Sequence, residues 1–362
     1  MIHLADLGMQ TREIWSSLEG ELRSLIESSS FIGGPTVSAF EKEFANYVGT
    51  QSCVGVGNGT DALELILEAL GIGRGDEVLV PAFSYAATSE AVLRVGARPV
   101  FVDVAADLLV DPDLLKQHLT PRVRAVIPVH LYGNPFDVSQ HLGDEIAAGL
   151  IVVEDAAQAH GVSVDGQRAG ALGTAAAFSF YPGKNLGAWG DAGAVTTSDL
   201  ALDERIRRLA NHGRLSKFDH EIAGRNSRLD TLQAAVLSAK LRLLDEWVAR
   251  RQTNATRYLA ELASLEWLEL PTFAAGASHS WHQFSVRVAN REKFRAHMEQ
   301  MEVQTGIHYP YALPDLPFHR KKYGSFPEAR RAAREVVSLP VGEHLTDNDV
   351  SRVVGAVEAY LQ

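Results

Sequence analysis

One lysine, Lys184, lies within the stretch FSFYPGKNLGAWGDAGAV (residues 178–195), in apolar and aromatic surroundings between Pro182-Gly183 and further glycines. An unpaired buried ammonium is expensive, so a lysine in such a setting is either salt-bridged or deprotonated for nucleophilic work, Schiff-base formation included. Upstream, LIVVEDAAQAHG ends an apolar run with Glu154 and Asp155. A carboxylate there either serves a site at the strand end or caps the following helix. A third stretch, GVGNGTDAL from Gly55, follows an apolar run and opens a helical one. Gly59 and Thr60 there could hold a single phosphate through backbone N–H groups and the Thr60 hydroxyl; a tight turn capped by Thr60 or Asp61 explains the same residues. A dinucleotide fingerprint fits poorly, because the position wanting its third glycine is Thr60 and the acidic pair Asp76-Glu77 begins a strand instead of ending one. Phosphate site, acid and activatable amine together specify pyridoxal phosphate. The lysine forms the imine, the acid keeps the pyridine nitrogen protonated, and the helix terminus grips the phosphate.

These groups need a scaffold that brings them to one edge. From residue 50 to 200, β-branched runs (SCVGVG, DEVLVP, RPVFVDV, RAVIPVH, LIVVEDA) alternate with helical stretches, the rhythm of an α/β fold. Several runs are apolar throughout, as parallel strands covered on both faces are, and ligands gather at the C-terminal ends of such strands. Residues 60–71, TDALELILEALG, carry Leu63, Ile66, Leu67 and Leu70 at helical spacing and stop at Gly71. A long amphipathic stretch without glycine or proline over 229–265 suits a linker helix into a second domain. That domain reads as strand WHQFSVRV, helix NREKFRAHMEQM, a loop, and a helix after Thr346. The division expected is residues 1–240 for the N-terminal segment and large cofactor-binding domain, and 241–362 for the linker helix and small domain.

GNGTDAL, PAFSYAAT, VHLYG, VEDAAQAHG, FSFYPGKNLGAWGDAGAV and RNSRLDTLQAAVL, in this order, closely resemble the motifs of the DegT/DnrJ/StrS sugar aminotransferases. The resemblance implies the fold type I (aspartate aminotransferase-like) architecture of pyridoxal phosphate enzymes: a large domain with a mainly parallel central sheet and a smaller C-terminal α/β domain. It implies Lys184 as the Schiff-base lysine and general acid/base, and Asp155 as partner of the pyridine nitrogen. Gln158 would bond the ring hydroxyl oxygen and Tyr85 stack on the ring. Gly59, Thr60 and Ser179 would hold the phosphate, with Asn226 reaching it from the neighbouring subunit, which requires a homodimer. Arg228 and Gln233 are left structural.

The same resemblance implies two half-reactions, in which an amino acid, L-glutamate in most relatives, leaves as 2-oxoglutarate and pyridoxamine 5'-phosphate then aminates a ketone. Relatives that remove a sugar hydroxyl carry histidine at the lysine position, so a dehydrase is excluded. FYPGKNLGA, HSWHQFSVRV and VQTGIHYP look most like the enzymes that aminate C3 of dTDP-linked 3-keto-6-deoxyhexoses; a C4 aminotransferase or a cyclitol aminotransferase is the alternative. Tyr181, His308 and Tyr309 would approach the sugar. Relatives commonly continue with a PxHLxPAY-like segment, whereas this chain has YALPDLPFHRKKYG. His319, Lys321 and Lys322 read there as a solvent-exposed basic turn, with a diphosphate contact as the other possibility.

Composition bounds the rest. With 46% hydrophobic and 22% charged residues over 362 positions, the chain can bury one large core and a smaller one. A net charge of −11 repels nucleic acid and anionic lipid, and no basic recognition helix stands outside these motifs. No long apolar run or signal peptide is evident, which leads to the expectation of a cytoplasmic protein without membrane or nucleic-acid partners. The lone Cys53 reads as a core residue, and no metal site is expected.

Overall fold

The computed structural model describes residues 1–214, 216–273, 277–319 and 323–360. In chain order its strands are β1 (Ser52–Val56), β2 (Glu77–Pro81), β3 (Arg98–Val102), β4 (Val123–Val126), β5 (Ile151–Asp155), β6 (Ser163–Val164), β7 (Gln167–Arg168), β8 (Ala175–Ser179), β9 (Gly193–Thr197), β10 (Ala277–Ser278), β11 (Phe284–Arg287) and β12 (Val336–Leu339). Seven of them form the central sheet in the order β1-β9-β8-β5-β4-β2-β3. Only β9 runs against its neighbours, pairing antiparallel with both β1 and β8, while the other pairs are parallel. The five apolar runs fall on β1 to β5. β2 is buried along its whole length, as expected of a strand covered on both faces.

The chain begins with α1 (Leu7–Glu27) and α2 (Pro35–Val48), then enters β1 and α3 (Gly59–Ala69). α3 buries Ala62, Leu63, Leu65, Ile66, Leu67 and Ala69 and stops at Gly71, whose φ of 72° is the left-handed geometry that ends a helix cheaply. After it come α4 (Ala87–Arg94), α5 (Pro112–Leu115), α6 (Ser139–Ala147) and α7 (Leu200–Ala210). The stretch expected as one long linker helix is two, α8 (Thr231–Leu241) and α9 (Leu244–Glu261), joined through Arg242 and Leu243. No glycine or proline breaks it; packing does. α8 is buried on nearly every side, with Ala235, Val236 and Ala239 against Ile14, Leu18 and Leu25 of α1. α9 joins the same cluster through Trp247 near its start and then sends Ala255 and Tyr258 into a different one.

That cluster sits around the antiparallel β11–β12 pair, with α10 (Arg291–Gln300) and α12 (Asp347–Glu358) closing over Phe284, Val286, Val337 and Leu339. Thr346 caps α12 through a reciprocal pair with Asp349, so this helix starts after Thr346 as expected. Between these elements the chain returns to the central sheet: Ala312, Leu313, Phe326 and, from α11 (Pro327–Glu335), Ala329 and Ala332 join the core that contains Phe101 and Val80.

Candidate active site

Asp155 is the last residue of β5, near the middle of the sheet, and only 5% of it is exposed. Alternation along the strand separates it from Glu154. Glu154 is consumed structurally: it receives His130 Nε2 at 2.9 Å and the Gly170 and Gly173 N–H groups at 2.7 Å each. Asp155 receives the Thr88 hydroxyl on Oδ2 at 2.8 Å and the Ala157 N–H on Oδ1 at 3.3 Å. Burial pushes its carboxyl above the ordinary range, while Thr88, Ala157 and the charge of Lys184 pull it down. A turn follows Asp155, not a helix, so capping does not explain it.

Lys184 lies in the loop 180–188 between β8 and β9, and β8 is the immediate neighbour of β5, with Asp155 opposite Ala177. The loop closes on itself: Lys184 N–H donates to Tyr181 O and Ala188 N–H to Phe180 O, both at 2.8 Å. A side chain at Gly187 would overlap Pro182 O, so only glycine permits this closure. The lysine keeps part of its surface open, yet its amine is packed closely enough that burial drives its pKa down to about 8, with Asp155 opposing the shift. Among the described residues no carboxylate lies within 4 Å of the amine in an ion pair.

At the third corner, Asn58 caps α3 by accepting the Asp61 N–H at 2.8 Å; neither Thr60 nor Asp61, the caps considered from sequence, does so. Asp61 instead receives the Ser227 hydroxyl at 2.6 Å. With Asn58 turned to Asp61, the first-turn N–H groups of Gly59 and Thr60 have no intrahelical acceptor. A Cβ on Gly59 would stand 2.7 Å from the Ser179 Cβ, and one on Gly193 would overlap the Asn58 carbonyl carbon. Helix start and strand end thus pack directly on each other, which sets Ser179 beside the free first-turn N–H groups of Gly59 and Thr60, an arrangement that fits a bound phosphate.

Gln158 is spanned by protein partners: its Oε1 accepts the Tyr132 N–H at 2.6 Å and its Nε2 donates to the Tyr309 hydroxyl at 2.9 Å. Tyr85, 56% exposed, has its ring 5.5 Å from that of Tyr309. His308 meets Ser338 Oγ through Nδ1 at 2.8 Å, and its carbonyl accepts the Tyr132 hydroxyl. Burial, then the Lys184 charge, lowers the His308 pKa to about 4, so its imidazole is neutral at physiological pH. Tyr309's phenol is pushed up by burial and by Asp155. These interactions bring Asp155, Lys184, Gln158, Tyr85, His308 and Tyr309 into one electrostatic and hydrogen-bonded neighbourhood. Tyr181 and Asn226 are exposed, Asn226 on a segment paired antiparallel with Asn211.

Two further histidines share the Lys184 field and were missed in the sequence. His160, buried between Phe178 and Phe180 with both ring nitrogens unpaired, falls to about 3; His282, against Asn185 at 3.2 Å, is lowered too, each mainly by burial. His160 stood in the quoted VEDAAQAHG, but nothing there told it from a core histidine. His319 is corrected: far from solvent-exposed, it is buried, with Nε2 on Ser89 Oγ at 3.0 Å and its ring against the Phe101 edge. Lys321 and Lys322 lie outside the described residues. Gln233 accepts the Trp189 N–H at 2.7 Å, and Arg228 donates to Asn211 Oδ1 at 3.3 Å. Cys53 is a buried core thiol. Among the described residues no cluster could hold a metal, and no helix is long and apolar enough to cross a membrane.

The chain is 47% identical over 358 residues to the erythromycin biosynthesis sensory transduction protein EryC1 of Saccharopolyspora erythraea, covering 98% of each. It is 44% identical over 363 residues to a dTDP-3-amino-3,4,6-trideoxy-alpha-D-glucose transaminase of Streptomyces venezuelae, covering 99% of this chain and 95% of the relative. The crystal structure of S. venezuelae DesV in complex with a ketimine intermediate superposes with a TM-score of 0.95 at 44% identity, over 98% of this chain and 97% of that one. The family model matches residues 13–358, which spans the amine, the acid and the helix terminus described above. The chain belongs to the DegT/DnrJ/EryC1/StrS aminotransferase family.

Proposed function

We propose that this protein transfers an amino group from an amino acid, L-glutamate, to the C3 ketone of a dTDP-linked 3-keto-6-deoxyhexose, using pyridoxal 5'-phosphate. The observation that carries the reading is Lys184: an amine depressed to about 8 by burial, one strand from a buried Asp155 and beside a helix terminus with spare N–H donors. A lysine so depressed is substantially neutral near pH 8, as a nucleophile and proton carrier requires. The similarity to a dTDP-3-amino sugar transaminase supports the choice of sugar and carbon.

When bound, the cofactor supplies an electron sink for the substrate carbon. The rest is done by the chain. Gly59, Thr60 and Ser179 hold the phosphate. Asp155, fixed by Thr88, holds the ring nitrogen's proton, and that cation in turn favours the ionised carboxylate. Gln158 and Tyr85 orient the ring. Lys184 Nζ moves the proton between cofactor and substrate carbons, while neutral His308, with Tyr309 and Tyr181, lines the approach of the sugar. Asn226 completes the phosphate site of a second copy, so the active unit is a homodimer; the exposure of Asn226, of Tyr85 and of Phe218, 82% accessible in a single copy, supports this. The division at residue 240 into cofactor-binding and small domains belongs to the same reading.

The test has two stages. Protein loaded with the cofactor is reduced with borohydride and peptide-mapped, and the adduct is expected on Lys184. The protein is then incubated with L-glutamate and a panel of nucleotide keto sugars, and the position of the new amine is read by NMR. An amine at C4 refutes the C3 assignment; absence of the Lys184 adduct refutes the reading altogether.

A further inference from the structure

A second lysine, Lys240 of α8, is buried more deeply than Lys184, at 1% exposure, and the chemistry above does not use it. Its ammonium donates to Gly187 O at 2.6 Å and to Gln10 Oε1 of α1 at 2.8 Å. Gln10 donates in turn to Glu343 Oε1 at 2.6 Å, and Glu343 Oε2 pairs with Arg251 at 2.6 Å. Arg251 continues to Trp281 O at 3.0 Å. Elements remote in sequence thus converge on one carbonyl, and that carbonyl lies at the neck of the loop carrying Lys184.

The peptide unit between Gly187 and Ala188 is held at both ends: its N–H donates to Phe180 O and its C=O accepts from Lys240. Pro182 leaves no room at Gly187 for a side chain. Asn185, next to Lys184, is anchored separately, its Nδ2 donating to Ser280 O at 3.0 Å. Without Lys240 the Gly187 carbonyl would be a buried acceptor deprived of its charged donor, and this peptide plane would be free to turn. We propose that Lys240 is a positioning residue for the aminotransfer site, fixing the Gly187–Ala188 peptide plane and so the path along which Lys184 reaches the cofactor. Gln10 and Glu343 serve the ammonium rather than the loop.

This inference rests on the reading of Lys184 as the cofactor lysine, and the experiment separates the two. Wild type, Lys240→Met and Gln10→Met are compared by thermal unfolding, by pyridoxal phosphate affinity from equilibrium dialysis, by hydrogen exchange of the Ala188 amide, and by glutamate half-reaction kinetics. Lys240→Met keeps length and bulk without a donor. It is expected to bind the cofactor at least about tenfold more weakly, to exchange the Ala188 amide faster, and to lower kcat with little change in KM for glutamate. Gln10→Met, which breaks the same network but spares the bond to Gly187, is expected to lower the Tm while cofactor affinity and Ala188 exchange stay near wild type. Should Lys240→Met not be recovered folded, Lys240→Gln, which offers only a shorter neutral donor, takes its place in the comparison. Wild-type affinity and Ala188 exchange in the Lys240 variant, or equal losses in both variants, overturn the proposal. Failure of wild type itself to form the Lys184 adduct overturns the reading beneath it.

Discussion

Thr88 provides the sharpest test of how Asp155 is kept ionised. It is wholly buried, donates to Asp155 Oδ2 at 2.8 Å, and stands 3.0 Å from Ser84 Oγ, so that Ser84 donates to Thr88 and Thr88 to the carboxylate. Thr88→Val keeps the shape and deletes the donor. A hydrogen bond to a charged group contributes roughly 1.5–3 kcal/mol, so losing it raises the Asp155 pKa. In the cofactor-free protein burial already holds this pKa above its ordinary 3.8. The folded state therefore binds the proton more tightly than the unfolded state, and the group's contribution to stability falls as pH rises through the folded pKa. Thr88→Val moves that fall to higher pH and deepens it. Its deficit against wild type should be small in acid, where both carboxyls are protonated, and should grow to roughly 1.5–3 kcal/mol above neutrality. Urea unfolding of the cofactor-free proteins at a series of pH values from acid to above neutrality measures this, with Thr88→Ser, which retains the hydroxyl, expected to track wild type. A deficit independent of pH, or a serine variant no better than valine, would refute the argument that Thr88 tunes the carboxylate.

Lys184→Met should yield folded protein with no borohydride-fixed cofactor. Because the folded pKa of about 8 lies below the ordinary 10.5, the buried amine costs the cofactor-free wild type about 3 kcal/mol near pH 7. The methionine variant should therefore be the more stable at neutral pH, with the gap closing as pH climbs from 8 towards 10.5, checked by chemical denaturation. Gly59→Ala places a Cβ 2.7 Å from Ser179 Cβ and should weaken cofactor binding at least about tenfold while costing about 1–3 kcal/mol of stability, read by dialysis and unfolding. If Asn226 acts across a dimer, mixing Lys184→Ala with Asn226→Ala chains should restore part of the activity that neither homodimer has; no recovery on demonstrated subunit exchange would count against sites completed in trans.

The parts legible in the sequence are those where a single chemical need constrains a short stretch. Asp155 and Lys184 stand at or just beyond the ends of apolar runs, where a polar group has little structural reason to be, and β1 to β5 announce themselves as short valine-rich segments between helical stretches. What stayed hidden depends on partners distant in the chain. Asn58 was passed over as a cap because Thr60 and Asp61 next to it are equally good capping residues, and only the three-dimensional turn decides between them. Thr88 and Ser84 look like ordinary small polar residues until β2 and β5 bring them together with Asp155. His319 sits among basic residues in sequence, yet Phe101 and Ser89 take it inside. The break between α8 and α9 has no local signal: both helices share two cores, and only the later turns of α9, at Ala255 and Tyr258, enter a third.

The reversed direction of β9 has a kinetic consequence. Parallel neighbours must be joined by a crossover, which delays pairing until a long loop has closed. Residues 180–192 instead fold straight back, so β8, the loop bearing Lys184 and β9 form one contiguous hairpin of low contact order. The segment holding the nucleophile can thus assemble early from its own neighbours, whereas Asp155 takes its place only when β5 docks alongside.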